Sequence, residues 1–126
     1  MIIPILKPIG PTSFQIIAQI KKITGIKKVG HAGTLDPLAE GVLVVGIGRD
    51  STRKLFAELE KEKEYETLIE FGKVSTTDDS EGEKTEWKVT KVPKATEVTE
   101  AIQNFIGEIW QMPPQYSAVK SGGVEA

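Results

Sequence analysis

The stretch that most constrains this chain is Val42 to Ile47, VLVVGI, an unbroken apolar run closed on either side by Gly41 and Gly48. It has the length of a strand, and four of its six residues are β-branched, which suits a pleated surface. A half-wet strand alternates apolar with polar, whereas an unbroken one is covered on both faces. The run is therefore read as a central strand, and the rest of the chain must supply its neighbours and its helices.

The flanking sequence does so. Ile2 to Leu6 reads as a strand, stopped by the turn cluster Lys7-Pro8-Ile9-Gly10-Pro11. Thr12 or Ser13 can cap a helix that runs to Thr24, with Ile16, Ile17, Ile20 and Ile23 on one face, Lys21 and Lys22 in the last turn, and Gly25 as its terminator. A short helix is expected over 51–59. Tyr65 to Phe71 alternates like a strand, VSTTDDSEGE is a polar turn, and a further strand is expected around Trp87 to Val92, ended by Pro93. Thr96 is placed to cap a helix over Glu97 to Phe105, closed by Gly107. The tail EIWQMPPQYSAVKSGGVEA holds two short extended pieces split by Pro113-Pro114. Strands and helices mix without a strict βαβ repeat, so the expected class is α+β: a mixed, mainly antiparallel sheet with packed helices.

At 126 residues the chain suits one domain with a real core. No apolar run approaches the roughly 18 residues of a membrane span. The apolar start MIIPILKPIG lacks a basic leader and a cleavage site, so it is read as a first strand, and the expected address is cytoplasmic. The absence of cysteine excludes a disulfide framework, a thiolate nucleophile and the His/Cys zinc set of base deaminases. The net charge of −2 conceals a division. Residues 1–56 carry eight Lys/Arg against three Asp/Glu, a net of +5, and residues 57–126 carry eight Lys against fifteen acids, a net of −7. The basic half suits a phosphate backbone, although solvated helix ends would look the same.

Three segments are candidates for chemistry. GIGRDS, residues 46–51, follows a strand and opens a helix, but its third glycine position is Ser51, which favours a plain strand-to-helix turn over a dinucleotide fingerprint. TTDDSEG, residues 76–82, lacks the bidentate Glu that a calcium loop needs, since Val89 occupies that position, so an acidic hairpin turn is expected. GHAGTLDPLAEG, residues 30–41, suits neither helix nor strand. Its glycines permit a tight loop, and Pro37 restricts the backbone of Asp36, so the carboxylate is preorganised. From the residues alone, Asp36 could equally start an Asx-Pro turn, with His31 filling a polar gap.

Four blocks, KPIGPTS at 7–13, KKVGHAGTLDPLAEGVLVVGIG at 27–48, KEY at 63–65 and MPPQYSAVK at 112–120, together resemble the tRNA pseudouridine synthase B (TruB) family in order and spacing. The resemblance covers essentially the whole chain. It implies a pseudouridine synthase-like fold and the conversion of a T-loop uridine of tRNA to pseudouridine, with neither metal nor organic cofactor. By that resemblance Asp36 is the catalytic aspartate, acting at C1′ or drawing a proton from C2′. Tyr65 stacks on the flipped uracil, His31 packs beside the extruded nucleotide, and Lys27, Lys28 and Arg53 meet phosphates.

Family members continue well past residue 126, so residues 1–126 are expected to be the N-terminal part of a catalytic domain. Such a part would have little or no turnover alone, and its exposed sheet edge would invite self-association. Where relatives carry Thr and then Asp in the acidic turn, this chain has Ser75-Thr76, a change expected to touch only local hydrogen bonding. A competing function is a non-catalytic RNA-binding or RNA-folding module, and a nucleotide-binding domain is a third. Retention of both Asp36 and Tyr65 disfavours pure binding, because stacking needs no carboxylate.

Overall fold

The computed structural model describes residues 1–59, 62–112, 120–121 and 124–125. Met1–Tyr65 and Glu66–Ala126 are two compact units. In the first, β1 (Ile2–Lys7), β2 (Val29–Ala32) and β3 (Gly41–Ile47) form an antiparallel sheet in the order β1-β3-β2. The apolar run is the central strand. Its register pairs Ile2 with Gly46 through to Lys7 with Gly41 on one side, and Val29 with Ile47 through to Ala32 with Val44 on the other.

Helix α1 (Ser13–Thr24) covers one face of this sheet. Thr12 is its cap: the hydroxyl accepts from the Gln15 amide, and the Gln15 side chain accepts from the Thr12 amide in return. Gly25, left-handed, closes it. Ile16, Ile17 and Ile20 are buried against Val29, Leu43, Val45 and Ile47, with Ile3, Ile5 and Leu35 at the margin of the same cluster. Leu43 and Val45 alternate with Val42 and Val44 along β3, so burial on the α1 face follows the pleat.

Helix α2 (Arg49–Leu59) covers the other face at one end only. Gly30 and Gly46 are cross-strand partners, and a Cβ on either would point at Leu55, which is 5% exposed. Two facing glycines thus make a flat floor for α2. Towards the opposite end the same face is open, with Val42 at 66% and Leu6 at 72% exposure. The expected double cover is therefore complete only where α2 lies.

β2 corrects one expectation. Residues 30–41 were not expected to contain a strand, yet Val29–Ala32 pairs with β3. VGHA has no alternation to announce it; the partner strand and its ladder decide.

In the second unit, β4 (Lys73–Ser75) and β5 (Lys84–Glu86) form a hairpin around the acidic turn. The Asp79 carboxylate accepts from the Thr77 hydroxyl and the Glu81 amide, so the turn spends it internally. The strands expected over Tyr65–Phe71 and Trp87–Val92 are not there. Residues 62–70 have no regular structure, and among the described residues only the Trp87 amide, bonded to the Gly72 carbonyl at 2.8 Å, extends the ladder outward. Pairing grows from the turn, and the alternating residues beyond it stay exposed, Leu68 at 97% and Ile69 at 68%.

α3 (Ala95–Ile102) starts earlier than expected and ends in a 3₁₀ turn over Gln103–Phe105. Its first turn is fixed not by Thr96 but by Glu97, whose carboxylate accepts from the Lys94 amide at 2.7 Å and pairs with Lys91. Phe71, Val89, Val92, Pro93, Ala95 and Val98 line an apolar groove of about 380 Å³ within this unit. Lys120–Ser121 and Val124–Glu125 pair as a short hairpin, β6 and β7. Pro113 and Pro114 lie outside the described residues.

Candidate active site

Asp36 sits in the loop from Gly33 to Glu40, which joins β2 to β3. The chain enters and leaves this loop at Gly33 (φ +82°) and Gly41 (φ +152°), backbone angles that residues with a Cβ rarely adopt. Between them the Ala39 amide donates to the Asp36 carbonyl at 3.1 Å, closing a turn with Pro37 at its second position. The backbone of Asp36 thus does start a Pro turn. Its side chain is exposed, and the carboxylate has no hydrogen-bond or ion-pair partner among the described residues.

The loop is held from outside by residues 7 to 13. Ser13, 2% exposed, bonds both peptide groups of Leu35: its Oγ accepts from the Leu35 amide at 3.0 Å and donates to the Leu35 carbonyl at 2.9 Å. The Gly10 amide donates to the Pro37 carbonyl at 2.8 Å. Lys7, fully buried at the end of β1, donates from Nζ to the Ala39 carbonyl at 2.7 Å and to that of Pro8 at 2.9 Å. No carboxylate is within ion-pair reach of Lys7 among the described residues. Its charge is offset by peptide dipoles instead, as a buried charge must be by some polar partner. Leu35, Pro37 and Ala39 are thereby fixed, while the carboxylate between them faces solvent.

His31 lies one residue from the end of β2, half-buried. Its Nδ1 is 2.6 Å from the Gly33 carbonyl. A carbonyl only accepts, so Nδ1 carries the proton there, and Nε2 is left for another partner. His31, at the end of β2, is thus tied to the first residue of the loop that carries Asp36.

The other predicted site residues lie elsewhere. Lys27 and Lys28 lead into β2 at the end opposite the loop, where the Gly48 amide bonds the Lys28 carbonyl and α2 begins; four strand residues make that separation roughly 13 Å. Arg53 is on α2. All three are exposed and carry no ion pair among the described residues. Tyr65 ends the first unit, 71% exposed.

Sequence reasoning did not single out Lys7 and Ser13 as site residues. KPIGPTS read as a turn followed by a cap, and Thr12 or Ser13 was an open choice. Because Thr12 takes the cap, Ser13 is free to reach the loop. The available signal was a lysine directly after an apolar strand in a turn with no acidic residue nearby to pair with it.

Comparison with known proteins identifies the family. Residues 21–126 match the family model described as TruB family pseudouridylate synthase (N terminal domain). The chain is 46% identical over 128 aligned residues to a tRNA pseudouridine synthase B of Clostridium acetobutylicum, covering 98% of this chain and 42% of that protein. It is 45% identical over 117 residues to the protein of the same name in Chlamydia pneumoniae, covering 93% of this chain and 49% of that one. Among solved structures, a chain from the crystal structure of a Cbf5-Nop10-Gar1 complex superposes with a TM-score of 0.61 at 34% identity, over 94% of this chain and 30% of that one. The chain spans less than half the length of these relatives. With its antiparallel sheet, its packed helices and its GHAGTLDPLA loop, it belongs to the TruB family of pseudouridylate synthases, as part of that family's N-terminal domain.

Proposed function

We propose that this chain is the N-terminal part of the catalytic domain of a tRNA pseudouridine synthase, isomerising a T-loop uridine. The observation that carries this reading is the Asp36 carboxylate, exposed and unpaired among the described residues, in a loop whose backbone is held on both sides. A group that must meet a substrate atom is best kept away from internal partners and fixed in place.

In the proposed reaction the C1′–N1 bond breaks and a C1′–C5 bond forms. The hydrogen on C5 leaves as a proton and N1 gains one, so no atom or electron is gained overall. Asp36 acts at the sugar, by attack on C1′ or by removing a proton from C2′. The uridine must first leave its stack, and Tyr65, exposed at 71%, offers an aromatic face to hold it. His31 stands beside the nucleotide, with Nε2 available to donate or accept. Lys27, Lys28 and Arg53, at the far end of the sheet, meet the RNA backbone beyond the target nucleotide. The T-stem-loop is the assigned substrate.

The address is cytoplasmic, in keeping with the fact that no described helix is long and apolar enough to cross a membrane. β1 and β2 are the edges of the three-stranded sheet, and self-association through them would appear as a dimer in sedimentation velocity.

The test is a single-turnover reaction with the chain in excess over a T-stem-loop RNA, followed by carbodiimide-induced reverse-transcription stops. Slow formation of pseudouridine is expected, abolished in Asp36→Asn while RNA affinity stays within about twofold. Product that persists in Asp36→Asn would overturn the reading.

A further inference from the structure

The proposed reaction assigns work to Asp36 and to the residues facing the RNA, but leaves Ser13 unused. Among the described residues, Ser13 is nonetheless the one buried hydroxyl of the first unit, 2% exposed. It is the first residue of α1, one past the cap position, which Thr12 fills. Its Oγ instead makes two bonds to one residue of another element, Leu35, whose amide and carbonyl have no ladder partner. Leu35 immediately precedes Asp36, and its side chain packs against the core. The peptide joining residues 35 and 36 is therefore gripped through its carbonyl, one bond from the Asp36 nitrogen.

We propose that Ser13 is a positioning residue, which holds the Leu35 peptide and through it fixes the turn that presents the Asp36 carboxylate. Pro37 restricts Asp36 from the following side, and Ser13 restricts it from the preceding side. Without the hydroxyl, the two polar groups of Leu35 must find water, and the loop shifts to let water in. A misplacement on the order of 1 Å at a reacting group is enough for a loss of about 100-fold in rate.

The proposal rests on the assignment of Asp36 as the catalytic group, so its test has one arm that does not use activity. Amide exchange followed by NMR in the parent, Ser13→Ala and Ser13→Thr reads Leu35, bonded to Oγ, and Ala39, bonded to the Asp36 carbonyl. In Ser13→Ala both amides are expected to exchange at least about tenfold faster, and Ser13→Thr, which keeps the hydroxyl, restores them. The single-turnover rate at saturating RNA should fall about 10- to 100-fold in Ser13→Ala, with the half-saturating concentration within about twofold and recovery in Ser13→Thr.

An unchanged Ala39 exchange overturns the proposal, and so does an unchanged saturating rate in a chain whose Leu35 amide has been released. If the parent forms no pseudouridine, the rate arm falls away, and the Ala39 exchange alone decides whether Ser13 holds the turn. Should Ser13→Ala not fold, Ser13→Cys, similar in volume and weak in hydrogen bonding, is judged by the same readings.

Discussion

Replacing each of the two facing glycines with alanine separates backbone propensity from packing, because Gly30 and Gly46 occupy one cross-strand pair. Neither has a left-handed φ, so alanine strains neither backbone. At both positions it stiffens the unfolded chain, which stabilises by about 0.4–1 kcal/mol. At Gly30 the new Cβ would lie 3.5 Å from Thr52 Cγ2 and 3.6 Å from Leu55 Cδ1, ordinary contacts. At Gly46 it would lie 3.1 Å from Leu55 Cγ and Cδ1 and 3.1 Å from the carbonyl carbon of Ser51. Leu55 can turn aside, but the Ser51 carbon belongs to the first turn of α2 and moves only with the helix. Overpacking of this kind costs about 1–3 kcal/mol. Gly30→Ala should therefore be more stable than the parent by about 0.5 kcal/mol, and Gly46→Ala less stable by about 1–2 kcal/mol. Urea unfolding followed by far-UV circular dichroism measures both, with a common slope required for the comparison. In a Leu55→Ala background, which removes two of the three contacts, Gly46→Ala should cost less. A Gly46→Ala chain as stable as Gly30→Ala would refute the claim that α2 is seated on the glycine pair.

Three further outcomes follow from particular contacts. Lys7→Met removes the charged donor of the half-buried Ala39 carbonyl, and since a hydrogen bond to a charged group contributes about 1.5–3 kcal/mol, the urea midpoint should fall by the equivalent amount; an unchanged midpoint would show that the ammonium does not hold the loop. The Lys91 ammonium and the Lys94 amide together hold the Glu97 carboxyl below the usual glutamate range. A lowered native pKa gives a contribution that is present above the unfolded value and lost as pH falls through the native one, so acid should loosen the start of α3, and Glu97→Gln should remove that dependence, read by carbonyl NMR titration and amide exchange. If Lys28 meets a phosphate, Lys28→Ala should weaken T-stem-loop binding for any loop sequence and lower the slope of log K against log salt by about one; an unaltered slope would remove it from the interface.

How far the chain could be read depended on whether local pattern or distant partners decide each element. β1, α1, β3 and α2 follow from apolar periodicity and their stops, and the structure agrees to within a residue or two. β2 did not announce itself, because an edge strand of four residues, VGHA, takes its identity from the strand it pairs with. The alternation in Tyr65–Phe71 suggested a covered face, yet these residues lie outside the hairpin that the acidic turn nucleates. At the site the asymmetry is sharper. Asp36 and His31 were visible because proline, glycine and a lone histidine are conspicuous. Lys7 and Ser13 were not, because the contacts that define them reach 32 and 22 residues along the chain.

The burial of Lys7 also gives the loop a chemical clock. Lys28, among the exposed amines, is open to an acylating reagent at all times, whereas Nζ of Lys7 is reached only when the loop releases the Ala39 carbonyl. The labelling rate at this one amine, referred to that of its exposed neighbours, therefore measures how often the loop opens. A tryptic peptide carrying or lacking one modification would report the motion of the segment that presents Asp36, with no probe attached to the site itself.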